Sequence, residues 1–67
     1  MILYYGSLNK KYKIKKLNNL KLKHLALQGA FCYILEKKKD YFLLEIEGRG
    51  RVAIEESLVM AIEVESV

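Results

Sequence analysis

YFLLEIEGRGRVAI, residues 41–54, contains two apolar stretches separated by Gly-Arg-Gly. Alternate residues from Phe42 to Ile46 are apolar and fall on one face of an extended chain, which is the period of a half-buried strand. The glycines on either side of Arg49 tolerate the positive φ that a tight hairpin turn requires. The segment therefore predicts a β-hairpin with strands over residues 41–47 and 51–54.

The flanking segments predict further short strands. GAFCYILE, residues 29–36, is an apolar run rich in aromatic residues and Ile, which predicts a strand buried on both faces or nearly so. EKKKD, residues 36–40, predicts a polar loop. After the hairpin, EES at residues 55–57 predicts one helical turn, and VMAIEVE at residues 59–65 predicts a final strand.

The N-terminal half is less regular. ILYY, residues 2–5, predicts an edge strand, and KYKIK, residues 11–15, alternates lysines with Tyr12 and Ile14. Asn18-Asn19 predicts a turn. LKLKH, residues 20–24, repeats the alternation, although the spacing of Leu17, Leu20, His24 and Leu27 also fits one face of a short helix. We favour a strand there, with Leu20 and Leu22 facing inward.

Length and composition limit the kind of protein. Sixty-seven residues, 52% hydrophobic and 30% charged, predict one globular domain over residues 1–67 with a small core. One Cys and one His exclude an internal disulfide and a structural zinc site. A single unpaired Cys suits a reducing compartment, and no apolar run is long enough to span a membrane, so we expect a cytoplasmic protein without a membrane partner.

Five or six short strands with one helical turn near Glu55–Leu58 indicate an all-β fold, and closing the sheet into a barrel removes its exposed edges. The order of elements resembles a Src-homology-type (SH3-like) small β-barrel. GAFCYILE resembles the strand after that family's long first loop, and Tyr41-Phe42 resembles its aromatic pair at the start of the third strand. GRVAI, EESLV and Ile62 resemble its closing hairpin, helical turn and last strand, so the resemblance covers roughly residues 29–64.

The resemblance does not extend to the peptide-binding groove of that family. The groove uses a Trp and a Pro, and this chain contains neither. Glu55 stands where the Pro would fall, and Leu58 stands where a groove Tyr would fall. We therefore do not expect a proline-rich peptide as the ligand, and the scaffold alone leaves the function open.

Charge is distributed unevenly along the chain. Residues 1–35 contain seven lysines and no acid, whereas residues 36–67 contain five basic and eight acidic side chains. Lys11, Lys13 and Lys15 project from one strand face, and Lys21 and Lys23 project from the next segment. Two neighbouring ladders of like charge repel each other, so either phosphate or an acidic protein surface should offset them.

The candidate catalytic residues do not form a convincing site. Cys32 lies inside an apolar strand, where a free Cys behaves as a small hydrophobe, so a Cys32–His24 nucleophilic pair is disfavoured. The alternating glutamates at 45, 47, 63 and 65 predict a solvated acidic face, because a barrel of this size has little room for a pocket. We therefore expect no enzyme activity, no small-molecule substrate, no cofactor and no bound metal.

The remaining candidates are arginines and tyrosines. Arg49 and Arg51 could contact phosphate, but they could also pair with Glu45 or Glu47 across the turn. We assign Tyr33 to the core and Tyr41 to the surface, and the alternation places Tyr12 opposite the lysines. A stacking surface for nucleic-acid bases needs rings and charges on one face, so this arrangement weakens that interpretation.

We interpret the sequence as a non-catalytic interaction module that docks on another protein or on copies of itself through complementary basic and acidic faces. The alternative is a barrel that binds nucleic acid without sequence specificity, through point charges of lysine. The residues predicted to contact the partner are Lys11, Lys13, Lys15, Lys21, Lys23, Arg49, Arg51 and Tyr41.

Overall fold

The computed structural model describes residues 1–67 and contains five strands in one antiparallel sheet with the order β4-β3-β2-β1-β5. The fold is the predicted all-β, SH3-like type. The elements in chain order are a 3-10 turn (Leu3–Tyr5), β1 (Lys11–Leu17), α1 (Leu20–Lys23), β2 (Phe31–Lys37), β3 (Tyr41–Ile46), β4 (Gly50–Glu55), α2 (Glu56–Val59) and β5 (Ile62–Ser66).

The β3–β4 hairpin has an uninterrupted register from Tyr41 opposite Glu55 to Ile46 opposite Gly50. Its turn is closed by a hydrogen bond of 2.9 Å that the Arg49 amide donates to the Ile46 carbonyl. Gly48 occupies the third position of this turn with φ 81, a conformation that strongly favours glycine. The hairpin and the helical turn that follows it are therefore found where the sequence predicted them.

Two irregularities bend the sheet around its own inner face. The register shifts in β1 between Ile14 and Lys16, and in β2 between Ile34 and Glu36. Such bulges increase local twist and bend the strand, which lets a small sheet close on itself. The enclosed core contains only apolar side chains and the ring of Tyr12: Leu3, Tyr12, Ile14, Leu17, Leu22, Leu27, Cys32, Ile34, Phe42, Leu44, Ile46, Ile54, Val59, Ile62 and Val64.

The N-terminal residues do not form the predicted edge strand. Only Ile2 makes an isolated bridge, to Glu63, and residues 3–5 form the 3-10 turn. Leu3 is fully buried whereas Tyr5 is 68% exposed, although a strand would place both on the same face. The chain turns here because Leu3 covers the end of the core, and the prediction of a strand over residues 2–5 was wrong.

The segment after β1 is also different from the favoured prediction. Residues 20–23 form α1, and the Asn19 side chain caps it by accepting a hydrogen bond of 2.8 Å from the Lys21 amide. Leu22 is fully buried and Leu20 is 80% exposed, so the two do not face inward together. The alternative helix face fails as well, because both Leu20 and His24 are exposed. Consequently, a second lysine ladder on a strand does not exist.

β2 is buried on one face only. Cys32 and Ile34 point into the core, while Tyr33 and its outer-face neighbours are half-buried. The Tyr33 hydroxyl donates a hydrogen bond of 3.4 Å to Glu47 Oε2 on the outside of the sheet. The assignment of Tyr33 to the core was therefore wrong. The outer-face aromatic rings of β2, Phe31 and Tyr33, are partly covered by polar side chains such as Lys11, whose Nζ lies 4.6 Å from the Phe31 ring centre.

Gly6 is the tightest backbone approach to the core. A Cβ at this position would lie 3.0 Å from the Leu3 carbonyl oxygen and 3.0 Å from a ring carbon of Tyr12. We expect Gly6→Ala to lower the free energy of unfolding by about 1–3 kcal/mol, because a core this closely packed cannot accept the methyl group without strain. Urea unfolding measures the change, and Ser7→Ala at the exposed neighbouring position is the control. Equal stability of the two variants would contradict the packing argument.

Candidate docking surface on the β1–β2 loop

The lysines of β1 project from one face, as predicted, and acidic residues of the same chain offset them. Lys11 Nζ lies 3.2 Å from Glu47 Oε2, and Lys15 Nζ lies 3.6 Å from Glu65 Oε1. Lys13 stands directly opposite Glu65 in the β1–β5 register. These side chains are all at least partly exposed to solvent, so each pair adds little to stability.

The two arginines of the β3–β4 turn have separate contacts. Arg51 Nε lies 3.5 Å from Glu45 Oε1, which matches the predicted pairing across the hairpin. Arg49 instead donates a hydrogen bond of 3.1 Å to the carbonyl of Leu25, so it fastens the β1–β2 loop to the turn. Tyr41 is 41% exposed at the start of β3. The eight predicted contact residues therefore lie on several elements and do not converge on one pocket.

Lys21 and Lys23, like Lys13 and Lys16 of β1, form no salt bridge within the chain, but unlike those two they have no glutamate opposite them in a strand register. They flank Leu22 on α1, and they stand beside Leu20, whose side chain is 80% exposed. We call Leu20, Lys21 and Lys23 the α1 surface. The α1 surface therefore combines one exposed leucine with two lysines that form no salt bridge within the chain.

The α1 surface is held on a fixed support. Leu22 and Leu27 anchor the loop in the core, and the Gly29 amide donates a hydrogen bond of 2.8 Å to the Ile14 carbonyl. The Asn18 amide donates a hydrogen bond of 2.8 Å to the Ala61 carbonyl, which brings the loop next to Met60, itself 42% exposed. Sequence reasoning missed Leu20 and Met60, because periodicity placed Leu20 inside and gave Met60 no role.

An aromatic cluster lies at the other end of β2 and β3. The Tyr4 ring stacks on Phe42 with centres 5.3 Å apart, and Tyr5 meets Tyr4 edge-on at 5.1 Å. Lys37 donates a hydrogen bond of 3.2 Å to the Tyr4 carbonyl and lies 5.5 Å from the Phe42 ring centre. The adjacent tyrosines were visible in the sequence, but only the 3-10 turn brings them to Phe42. These contacts order the N-terminal segment against β3.

Cys32 is a core residue and has none of the features of an activated nucleophile. Its side chain is fully buried, and burial raises the pKa of its thiol from 9.0 to about 11. His24 lies in the exposed loop after α1. Glu45, Glu47 and Glu65 are occupied by the ion pairs described above. No three His, Cys, Asp or Glu side chains are grouped in a way that could hold a metal ion.

Comparison with known proteins gives a clear answer at the level of the fold. No protein-family model matches the sequence, and no curated protein sequence matches it. Solved structures do match. The chain has the fold of FeoA. An FeoA-like protein from Clostridium acetobutylicum superposes with a TM-score of 0.80 at 20% identity, over 97% of this chain and 84% of that one.

Two further structures extend the same finding. An iron uptake regulatory protein, FeoA, superposes with a TM-score of 0.81 at 23% identity, over 98% of this chain and 94% of that chain. The FeoA protein from Chlorobium tepidum gives a TM-score of 0.85 at 16% identity, over 100% of this chain and 70% of that chain. The shared fold therefore includes the first 28 residues, which the sequence resemblance had not covered. None of the helices is long and apolar enough to cross a membrane.

The buried thiol makes a testable contribution to pH-dependent stability. The folded chain keeps Cys32 protonated up to a pKa of about 11, whereas the unfolded thiol ionises near 9.0. The contribution is therefore present in full below about pH 9 and is lost as the pH rises toward 11, by about 2–3 kcal/mol in all. Urea unfolding between these pH values, compared with Cys32→Ala, isolates the effect from tyrosine and lysine titration. Parallel pH profiles for the two proteins would contradict it.

Proposed function

We propose that the chain is a non-catalytic docking module that acts in iron uptake by binding an acidic patch on another protein through the α1 surface. The iron-uptake context is suggested by the FeoA structures that share the fold, one of which is described as an iron uptake regulatory protein. The docking role rests on this chain's own residues. The single observation that carries it is the 80% exposed Leu20 beside two lysines that no acid of the chain offsets.

The lysines of β1 and those of α1 differ in the acidic side chains that lie near them. On β1, Lys11 and Lys15 each lie within salt-bridge distance of a glutamate of the same chain, so a partner would gain less from those two lysines. On α1, the cations are free, and Leu20 adds apolar area that water covers poorly in the isolated chain. The loop is anchored by Leu22 and Leu27, so binding requires little additional ordering of the backbone.

A protein partner fits this surface better than nucleic acid does. Tyr12, the aromatic residue within the lysine run, is only 2% exposed and so offers no face for a base. The free cations on α1 are lysines, which attract phosphate as point charges without the fork geometry of arginine. The exposed apolar side chain of Leu20 beside them has no role in a contact with the phosphate backbone. The other predicted contact residues, Lys11, Lys13, Lys15, Arg49, Arg51 and Tyr41, stay predictions.

The docking role is tested by reversing the free charges. Lys21→Glu with Lys23→Glu, and separately Leu20→Ser, should each abolish complementation of iron uptake in source cells that lack this protein, because the partner surface is acidic and apolar. Lys39→Glu is the matched control, since Lys39 is exposed in the β2–β3 turn at the opposite end of β2. Thermal unfolding should show that all variants remain folded. Full complementation of iron uptake by both α1 variants would contradict the proposed docking role.

The nucleic-acid alternative has its own test. We expect no measurable binding of a short oligonucleotide at about 50 mM salt, where counterion release makes phosphate contacts strongest. Fluorescence anisotropy with single-stranded and double-stranded probes provides the measurement. Binding that declines steeply between about 50 and 200 mM salt, and that Lys21→Glu with Lys23→Glu weakens, would instead support a nucleic-acid partner.

A further inference from the structure

The two edge strands of the sheet, β5 and β4, differ in whether another segment covers their outward backbone groups. At the β5 edge, Met1 and Val64 exchange hydrogen bonds of 2.8 and 2.7 Å, and Ile2 bridges to Glu63. The N-terminal residues thus cover the outward backbone groups of β5. At the opposite edge, β4 pairs with β3 and with no other strand. Native sheets commonly blunt such an edge with charged side chains, proline or a bulge; β4 carries the exposed charges of Arg51 and Glu55, of opposite sign, but no lysine, proline or bulge.

The backbone groups of β4 that point away from β3 can be identified from the alternating hydrogen bonds of an antiparallel sheet. The Glu47 amide donates to the Phe31 carbonyl on the β2 side, whereas the Ile46 carbonyl accepts from Arg49 on the β4 side. Even-numbered residues of β3 therefore bond to β4, and their partners at positions 50, 52 and 54 face inward. The amides of Arg51, Ala53 and Glu55 point away from the sheet. No backbone hydrogen bond from another segment reaches these three residues.

We propose that β4 is a homodimerisation edge, in which two copies pair β4 with β4 antiparallel around Ala53. Ala53 then stands opposite Ala53 of the second copy, and Arg51 stands opposite Glu55. Both amides of the central Ala53 pair find carbonyls across the two-fold axis, and each Glu55 amide finds the Arg51 carbonyl of the other copy. The two sheets become one continuous sheet across the axis.

The charge pattern selects this register. Arg51 and Glu55 lie on the outer face and are exposed, and Glu55 has no ion-pair partner within the chain. The two-fold axis produces the Arg51–Glu55 pair twice, with Arg51 placed between its own Glu45 and the second copy's Glu55. A slip by one residue would place Arg51 opposite Ile54, a core residue on the other face of the strand.

The interface is small, which sets the expected strength. One short strand from each copy buries less than the roughly 1,200 Å² of a typical stable complex, so we expect a weak, reversible dimer. The edge is separate from the α1 surface, and this inference does not rest on the proposed function. Variants of Lys21 and Lys23 should leave the dimer unchanged, and edge variants should leave the α1 surface intact, so the two proposals can fail independently.

Sedimentation and amide hydrogen exchange test the dimer on the full chain. Between about 10 µM and 1 mM, the weight-average mass should rise from monomer toward dimer, as weak association requires. Over the same range, the amides of Ala53 and Glu55 should gain protection, whereas those of Val52 and Ile54 should be protected throughout. A monomer at the highest concentration, or a dimer without this pattern of protection, would overturn the proposal.

A charge swap separates this register from any other dimer. Glu55→Arg should weaken association about tenfold, because the symmetry creates two arginine pairs at once. Adding Arg51→Glu should recover much of the loss by restoring opposite charges with their positions exchanged. Glu63→Arg, at an exposed position of β5 on the opposite edge, is a control for the same change in net charge, and thermal unfolding shows that each variant is folded. Equal association by wild type and Glu55→Arg, or no recovery in the double variant, would contradict the register.

Discussion

A single curled sheet must close around an apolar core that has no second layer of strands, and the rest of the structure depends on this constraint. The strands supply side walls but leave the two ends of the barrel open. Leu3 on the 3-10 turn and Leu22 and Leu27 in the β1–β2 loop are buried over these ends, and Leu27 lies near Ile46. Any segment that must place a side chain over an end cannot continue as a strand. The 3-10 turn and α1 are the consequence.

This constraint explains which elements were predictable. Strands β1, β3 and β5 have one face inside, so their period-two pattern is directly visible in the sequence. The failures fall where a segment closes an end. In LKLKH, alternation predicted that Leu20 and Leu22 would share a face, but a helical turn directs only Leu22 into the core. In ILYY, the burial of Leu3 alone required the chain to turn. The positions of these ends depend on the closed sheet, which local pattern does not describe.

The pairing of strands also explains how the charged side chains are distributed on the folded chain. Antiparallel pairing places the acidic strand β5 beside the basic strand β1, and Lys13 and Lys16 stand opposite Glu65 and Glu63. Part of the uneven charge of the two halves of the sequence is thus offset across this strand pair. The sequence alone could not show which lysines form an ion pair in the folded chain and which do not. The unpaired fraction depends on register, and in this chain it includes Lys13 and Lys16 of β1 as well as Lys21 and Lys23 of α1.

The two proposed contact surfaces, the α1 surface and the β4 edge, are regions where charged side chains lack an opposite charge within the chain. On α1, the loop carries its lysines beyond the reach of β5, so the surplus cations lie beside an exposed leucine. On β4, Arg51 finds Glu45 across the hairpin, but Glu55 lies at the last pair of the ladder, where its neighbour in β3 is Tyr41. A chain this small has few elements with which to cover an edge or a charge, and its N-terminal residues are already used at β5. A second molecule can therefore supply the partner strand that β4 lacks in this sheet.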